Sequence, residues 1–410
     1  MAAPDGARGI GIRPADLHIV DPRLATRVAA PTYDALSAAQ RAQLAGREPL
    51  SFLNALRGPE DAGGDLASAL EDNRAALLRL LRAGAYRRGT GRRYAWYRMA
   101  VDGHEQLALI AEVAVADYEG GRIVGHEHTN AARETQLAAY LETVRASANP
   151  IGLAHPPGAT LRATAEAATA GAPVLAFTSS DGVEHTVWTS EDPGAIAAVH
   201  TATAALQRLY ITDGHHRFAA AARVAAAGRT AGHGPDAPDQ WALAALSCAQ
   251  QLRVLPFHRA VLHPDHQVLR AALRERATVT PLAAPTPPAA PRHYTTFLDD
   301  RWYDVAVPAR QRDGDALAAL DVVVLQREIL APVFGVTEPR SDPRLHYVAG
   351  DATDLRAHCE RTGAVGFVVR APTMAELMTV ADAHQPMPPK STRFDPKARA
   401  GIFLRLLDQR

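Results

Sequence analysis

The spacing of apolar positions along the chain changes period several times, and each change predicts an element. From Asp65 to Arg82 the leucines Leu66, Leu70, Leu77, Leu78 and Leu81 share one helical face, and Gly84 follows as a stop. A shorter helix is expected after Ser37, where S-A-A-Q offers a capping box and Gly46 an end. The period then drops to two. RRYAWYRMAV and QLALIAEVAV read as strands joined across Asp102-Gly103-His104-Glu105, a hairpin turn. Residues 133–146 return to helical spacing. PVLAFTS and HTVWT are strand-like and lead into a helix around 193–206. In LQRLYITDGHHRFAAAARVAAAG an apolar strand meets a tight turn and then an alanine-rich helix. WALAALS and LRVLPFH read as further strands of one central sheet.

Residues 281–292, PLAAPTPPAAPR, are the clearest break in composition and read as a linker. Beyond it DRWYDVAV predicts a strand and LDVVVLQREILAPVF a helix. LHYVAG and AVGFVVR are strands with a helix between them, and Thr373 and Glu376 cap the helix of TMAELMTVADAH. The expected organisation is an α/β region over 1–280, the linker, and a second α/β module over 293–410.

Composition narrows the function classes. With 410 residues, 47% hydrophobic and 21% charged, the chain has ample material for a core and exceeds one ordinary domain. The formal net charge is zero, which argues against a protein that coats nucleic acid. Cys248 and Cys359 form no metal-ligand pattern and read as buried small hydrophobes of a reducing compartment. Neither a signal-peptide core nor an apolar run of membrane-spanning length is present, so a cytoplasmic protein is expected. Lys390 and Lys397 are the only lysines; every other one of the 44 basic residues is arginine.

Three segments carry candidate chemistry. Asp213-Gly214-His215-His216-Arg217 sits where a strand turns into a helix. Free N–H groups and the helix dipole favour an anion there, and Gly214 lets a phosphate approach the backbone. Arg217 can grip two phosphate oxygens, while Asp213 can hold Mg²⁺ or accept a proton from a hydroxyl. The plainer reading is an aspartate capping an alanine-rich helix beside solvated histidines. In His126-Glu127-His128-Thr129, strand alternation would send Glu127 to one side and both histidines to the other, as a lone carboxylate or a metal pair. The plainer reading is a polar loop. In MPPKSTRFDPKARAG, prolines stiffen the backbone around Lys390 and Lys397, and Ser391 and Thr392 add donors for a phosphate. The alternative is two solvated lysines.

Taken together, VAAPTYDALS, SFLNALRGPED, ADYEGGRIVGHEHT, ITDGHHRFAAAARV, LRVLPFHRAV, LDVVVLQREILAPVFGV, EPRSDPRLHYVAG and MPPKSTRFDPKARAGIF resemble, in order, the domain of unknown function 1015 family. DGHHR resembles the phosphate-binding helix start of the ParB/sulfiredoxin-like superfamily, which includes an ADP-dependent free serine kinase. Some positions depart from the family pattern. Thr32 stands for a proline, Arg133 for a lysine and Leu137 for an arginine; Arg393 stands for an aromatic residue and Asp395 for a glutamate.

The resemblance implies a mixed-sheet ParB/sulfiredoxin-like core and in-line phosphoryl transfer to or from a small hydroxylated metabolite, with serine or O-phosphoserine leading. Gly214, His215, His216, Arg217, Lys390, Ser391, Thr392 and Lys397 are then expected at the phosphates, and Asp213, Glu127 and His216 at the chemistry. Asp213 and Glu127 would hold Mg²⁺ brought with ATP, ADP or pyrophosphate. Arg133, Glu134, Asp34 and Arg340 are expected at the substrate. The expected partners are a small-molecule substrate and a phosphate-containing ligand, without nucleic acid or membrane. Two other classes remain open: a non-catalytic sensor of nucleotides or phosphometabolites, and a metal-dependent hydrolase using His126, His128, His215 and His216.

Overall fold

In the computed structural model, residues 9–33, 36–61, 63–263, 265–309 and 315–408 are described. The chain forms two compact units. Unit 1 comprises residues 1–253 together with 396–410, and unit 2 comprises residues 254–395. The expected break at 281–292 is therefore not where the units divide. Pro281 and Leu282 belong to a strand paired through Pro281↔Tyr303 and Leu282↔Trp302 within unit 2. The proline-rich composition marks an edge strand and the loop after it, places where a missing N–H is tolerated.

Unit 1 is built on a nine-stranded mixed sheet. Its strands are Ile12–Arg13 (β1), Tyr94–Val101 (β2), His104–Ala114 (β3), Ile123–Val124 (β4), Ile151–His155 (β5), Leu175–Thr178 (β6), Glu184–Ser190 (β7), Leu209–Asp213 (β8) and Trp241–Cys248 (β9). The order is β4-β8-β5-β9-β3-β2-β7-β6, with β1 on β3. The pairs β8–β4 and β9–β5 are parallel and the others antiparallel. The hairpin between β2 and β3 turns at Asp102 and Gly103, both left-handed, as a two-residue loop requires.

The central strands are apolar on both faces because each face has its own core. Tyr97, Met99, Ala108, Ile110, Leu243 and Ala245 pack with Leu77 and Leu80 of the helix Leu66–Arg82 (α1) and with Phe403. Trp96, Leu109, Ala111, Ala244 and Leu246 pack with Phe218 and Ala225 of His215–Thr230 (α3). Ala131–Val144 (α2) meets α3 through Leu137, Ala138 and Leu141 against Ala220 and Val224. The α/β class read from the sequence is the class of the chain. The buried stripe of α1 differs from the leucine face expected. It runs Ala69, Leu70, Asn73, Ala76, Leu77 and Leu80, and leaves Leu78 40% exposed. Alanines and an asparagine hydrogen-bonded to Arg57 complete that stripe, so counting leucines alone rotated it.

Unit 2 holds an antiparallel sheet of His258–Leu262 (β10), Thr278–Leu282 (β11), His293–Leu298 (β12), Arg301–Ala306 (β13), Leu345–Val348 (β14) and Ala364–Val368 (β15), ordered β11-β13-β12-β15-β10-β14. Ala352–Thr362 (α4) covers it with Leu355 and Cys359. LRVLPFH does not join the central sheet: Val254–Leu255 pairs with Arg393–Phe394, and β10 belongs to unit 2. Both cysteines are free; Cys359 is buried, which pushes its thiol up to about 12, whereas Cys248 is half-buried. Among the described residues no helix is long and apolar enough to cross a membrane.

Candidate functional site

The register of β8 against β5 slips between Ile211 and Asp213, which stays paired to Gly152. The slip and the turn at Gly214 carry Asp213 to the start of α3. Gly214 lies at φ +91, and a Cβ there would stand 2.8 Å from the Arg217 guanidinium carbon. Among the described residues no side chain caps α3, which leaves its first N–H groups without a side-chain cap. His216 is half-buried in this first turn.

Asp213 is held by two cations. Lys397 Nζ donates to Oδ1 at 2.6 Å, and Arg217 Nη2 donates to Oδ2. Burial alone would raise the Asp213 carboxyl, but Lys397 and Arg217 outweigh it and hold it below the usual carboxylate range. Arg217 Nη1 also donates to the carbonyls of Asn149 (2.5 Å) and Pro150 (2.7 Å). The fork expected to grip phosphate is thus committed to the protein itself. Asp213, Arg217 and Lys397 form a triad with one excess positive charge.

His215 joins the first motif to the second. It is buried, its Nε2 accepts the His126 N–H at 3.3 Å, and the two rings meet edge to face at 4.7 Å. Its Nδ1 stands 3.5 Å from Glu127 Oε2. Burial pushes His215 down to about 4 and His126 down to about 3, so both imidazoles are neutral near pH 7. Gly125 permits the approach, because a Cβ there would lie 2.8 Å from His215 Cδ2. The expected alternation across 126–128 does not occur: β4 ends at Val124, and His126 is buried while His128 and Glu127 are exposed. Thr129 is half-buried in the same loop.

The family described as Protein of unknown function (DUF1015) matches residues 12–323. The chain belongs to this family. No curated protein matches it. Among solved structures, a free serine kinase variant in complex with ADP is 14% identical over 72% of this chain and 91% of its own, with a TM-score of 0.36. SbnI from Staphylococcus aureus, truncated at its C-terminus, is 14% identical over 73% and 89%, with a TM-score of 0.37. A conserved hypothetical protein from Pyrococcus furiosus is 14% identical over 72% and 95%, with a TM-score of 0.34. Likeness at this level carries nothing about activity.

Leu137 of α2 packs against Ala220 and Val224, so the face meeting α3 is apolar at that point. Glu134 pairs with Arg223 at 3.6 Å, and Arg133 lies 5.1 Å from the Tyr33 ring. Tyr33 belongs to a cluster the sequence reading missed. Its hydroxyl faces Glu60 Oε1 (2.5 Å) and Asp61 Oδ2 (2.7 Å), and Arg41 covers the ring at 3.7 Å. Asp34 lies outside the described residues. Lys390, Ser391, Thr392 and Arg340 belong to unit 2.

A second missed network holds the segment bearing Lys397. Arg399 is buried; it donates to Ser179 Oγ at 3.2 Å and pairs with Asp181. Ser179 Oγ is 2.9 Å from His185 Nε2, and His185 Nδ1 is 2.7 Å from the Tyr97 hydroxyl. No local pattern announces these contacts, which join residues far apart in sequence.

The donor set does not suit a protein-built metal centre. Both Asp213 oxygens are taken by cations, and among the described residues no group of three or more His, Cys, Asp or Glu is placed to hold a metal. The hydrolase reading over His126, His128, His215 and His216 therefore lacks its ligand set.

Proposed function

We propose that unit 1 is a small-molecule phosphotransferase whose donor phosphates sit at the uncapped start of α3. The contact between Lys397 and Asp213 carries this reading. It brings a half-exposed ammonium to the one helix start with Gly214 at its N-cap, so backbone N–H groups and a point charge converge on one place. Catalysis of phosphoryl transfer rests mainly on positioning and charge neutralisation, which such an arrangement supplies. The N–H groups of His215, His216 and Arg217 would receive phosphate oxygens, while Asp213 and Arg217 hold Lys397 in place.

Glu127 is the base in this reading, since Asp213 is held ionised between two cations. Its side chain is 44% exposed beside His215. It would take the proton of the acceptor hydroxyl as that oxygen bonds to phosphorus and the bond to the donor breaks. The DGHHR resemblance points to serine or O-phosphoserine as the metabolite. ATP, ADP or pyrophosphate would be the phosphate partner, and any Mg²⁺ would arrive with it.

The test is a ³¹P assay of serine with ATP, ADP and pyrophosphate, and of O-phosphoserine with AMP, ADP and phosphate, repeated with Lys397→Met. Turnover that falls about 10²-fold or more in the variant supports the reading. Full activity in Lys397→Met overturns it. Ligand binding without turnover in any pair also overturns it and favours a phosphometabolite sensor.

A further inference from the structure

Unit 2 contains a buried cation with no carboxylate partner among the described residues. Arg259, on β10, is 4% exposed. Its guanidinium donates to the carbonyls of Phe257 (2.7 Å), Lys390 (3.1 Å) and Pro389 (3.3 Å) and lies 4.5 Å from the Tyr347 ring centre. These contacts fix the turn that carries Lys390, which adopts φ +53, a left-handed conformation that costs a non-glycine residue about 1 kcal/mol or more. The Lys390 ammonium lies 5.3 Å from the Phe257 ring centre.

More positive charge surrounds the same residues. Arg340 and Arg259 both act on the Tyr347 phenol, and Arg393 and Arg259 on His258. Arg393 Nε is buried with no hydrogen-bond partner among the described residues. The carboxylate that acts on His258 is Asp351, and its side chain is engaged as the N-cap of α4 by Thr353 and Asp354 N–H groups. Among the described residues none of Arg259, Arg340, Lys390 and Arg393 forms an ion pair. Uncompensated charge and an unpaired buried donor are both costly, and both are relieved by an anion that accepts hydrogen bonds.

We propose that unit 2 carries its own binding site for a phosphate-class oxyanion, with Lys390 and Arg393 as its ligands and Arg259 positioning the turn between them. This site stands independently of the phosphotransferase reading of unit 1.

Isothermal titration of the full chain with pyrophosphate tests the proposal, using Lys397→Met to remove the unit 1 cation. That variant is expected to keep one pyrophosphate site. Adding Lys390→Met or Arg393→Met should weaken it about tenfold each, since each removes a charge-assisted contact. Because the turn is held through backbone carbonyls, both changes should leave the unfolding temperature within a few degrees. Lys390→Gly separates ligation from structure: it removes the ammonium and the left-handed strain together, so binding should weaken while the unfolding temperature holds or rises. Deuterium exchange should show protection over 388–394 on adding pyrophosphate. Absence of pyrophosphate binding in Lys397→Met overturns the proposal. So does unchanged binding when Lys390→Met and Arg393→Met are combined. Full turnover in Lys397→Met with this site intact would count against the unit 1 reading alone.

Discussion

Lys397 and Asp213, 184 positions apart in sequence, are joined by an ion pair in which Nζ donates to Oδ1 at 2.6 Å. Arg217 holds the other carboxylate oxygen from one helical turn along α3. Asp213→Asn should therefore leave two cations facing each other, and Lys397→Arg should keep the charge but not its compact placement. The expected result is destabilisation of about 1–3 kcal/mol for Asp213→Asn, measured by urea unfolding at pH 7. The acid limb should report the same group. With its folded-state carboxyl below the ordinary value of 3.8, Asp213 contributes stability above about pH 4, lost as pH falls through the lowered value. The difference between wild type and Asp213→Asn should shrink over that window. A gap that stays constant to pH 2.5 would contradict the assignment.

The buried histidines predict a separate sensitivity that sets in at milder acidity. His215, His185 and His258 are each pushed down to about 4 by burial, and His126 to about 3. The unfolded chain takes up protons near pH 6.5, while the folded chain resists until about 4. Between those values the unfolded state binds more protons, so stability rises with pH. Each such histidine adds a slope of up to roughly 1.4 kcal/mol per pH unit. Urea midpoints measured from pH 7 to pH 4.5 should fall steadily, and His185→Gln should flatten the curve. A flat wild-type profile across that range would count against neutral buried imidazoles.

Much of the fold was legible because local rules decided it. Capping boxes at Ser37 and Thr373, the aspartate cap at Asp65 and the turn at Asp102-Gly103 each work within a few residues. The strand–turn–helix around Gly214 was legible for the same reason. What escaped the sequence depends on distant partners. The unit boundary is invisible to composition because the chain leaves unit 1 after Arg253 and re-enters it at Pro396. The lysines looked like a pair, yet that re-entry assigns Lys390 and Lys397 to different units. Nothing local to His215 shows that its ring packs against His126.

Gly125 gives a direct check on the link between the two histidine motifs. A methyl group there would begin 2.8 Å from His215 Cδ2, inside contact distance, with Ile211 Cδ1 behind at 3.6 Å. Gly125→Ala should cost about 1–3 kcal/mol as an overpacked site. It should also turn the His215 ring away from the His126 N–H, exposing that amide to faster hydrogen exchange. An unchanged exchange rate at His126 would show that the ring can yield without breaking the contact.

The Tyr97–His185–Ser179 network makes the sharpest claim about protons. Ser179 gives its one proton to Asp181, so His185 Nε2 donates to Ser179 Oγ and the fully buried Tyr97 hydroxyl donates to His185 Nδ1, 2.7 Å away. The neutral imidazole thus carries its proton on Nε2. The Ser179 bond to Asp181 is 2.5 Å, which excludes a serine proton resting on His185. The serine and histidine therefore do not form a nucleophile pair; they anchor Arg399, two residues after Lys397. ¹⁵N shifts of the His185 ring should show Nε2–H in wild type. Tyr97→Phe removes the donor to Nδ1, at about 1–3 kcal/mol for an unsatisfied buried group. Turnover should fall with it, but less than in Lys397→Met, because the ammonium is loosened rather than removed. Ser179→Ala, at a half-buried residue, should cost under about 1 kcal/mol. If the shifts instead place the proton on Nδ1, the direction of the whole chain of hydrogen bonds is reversed and the anchoring argument fails.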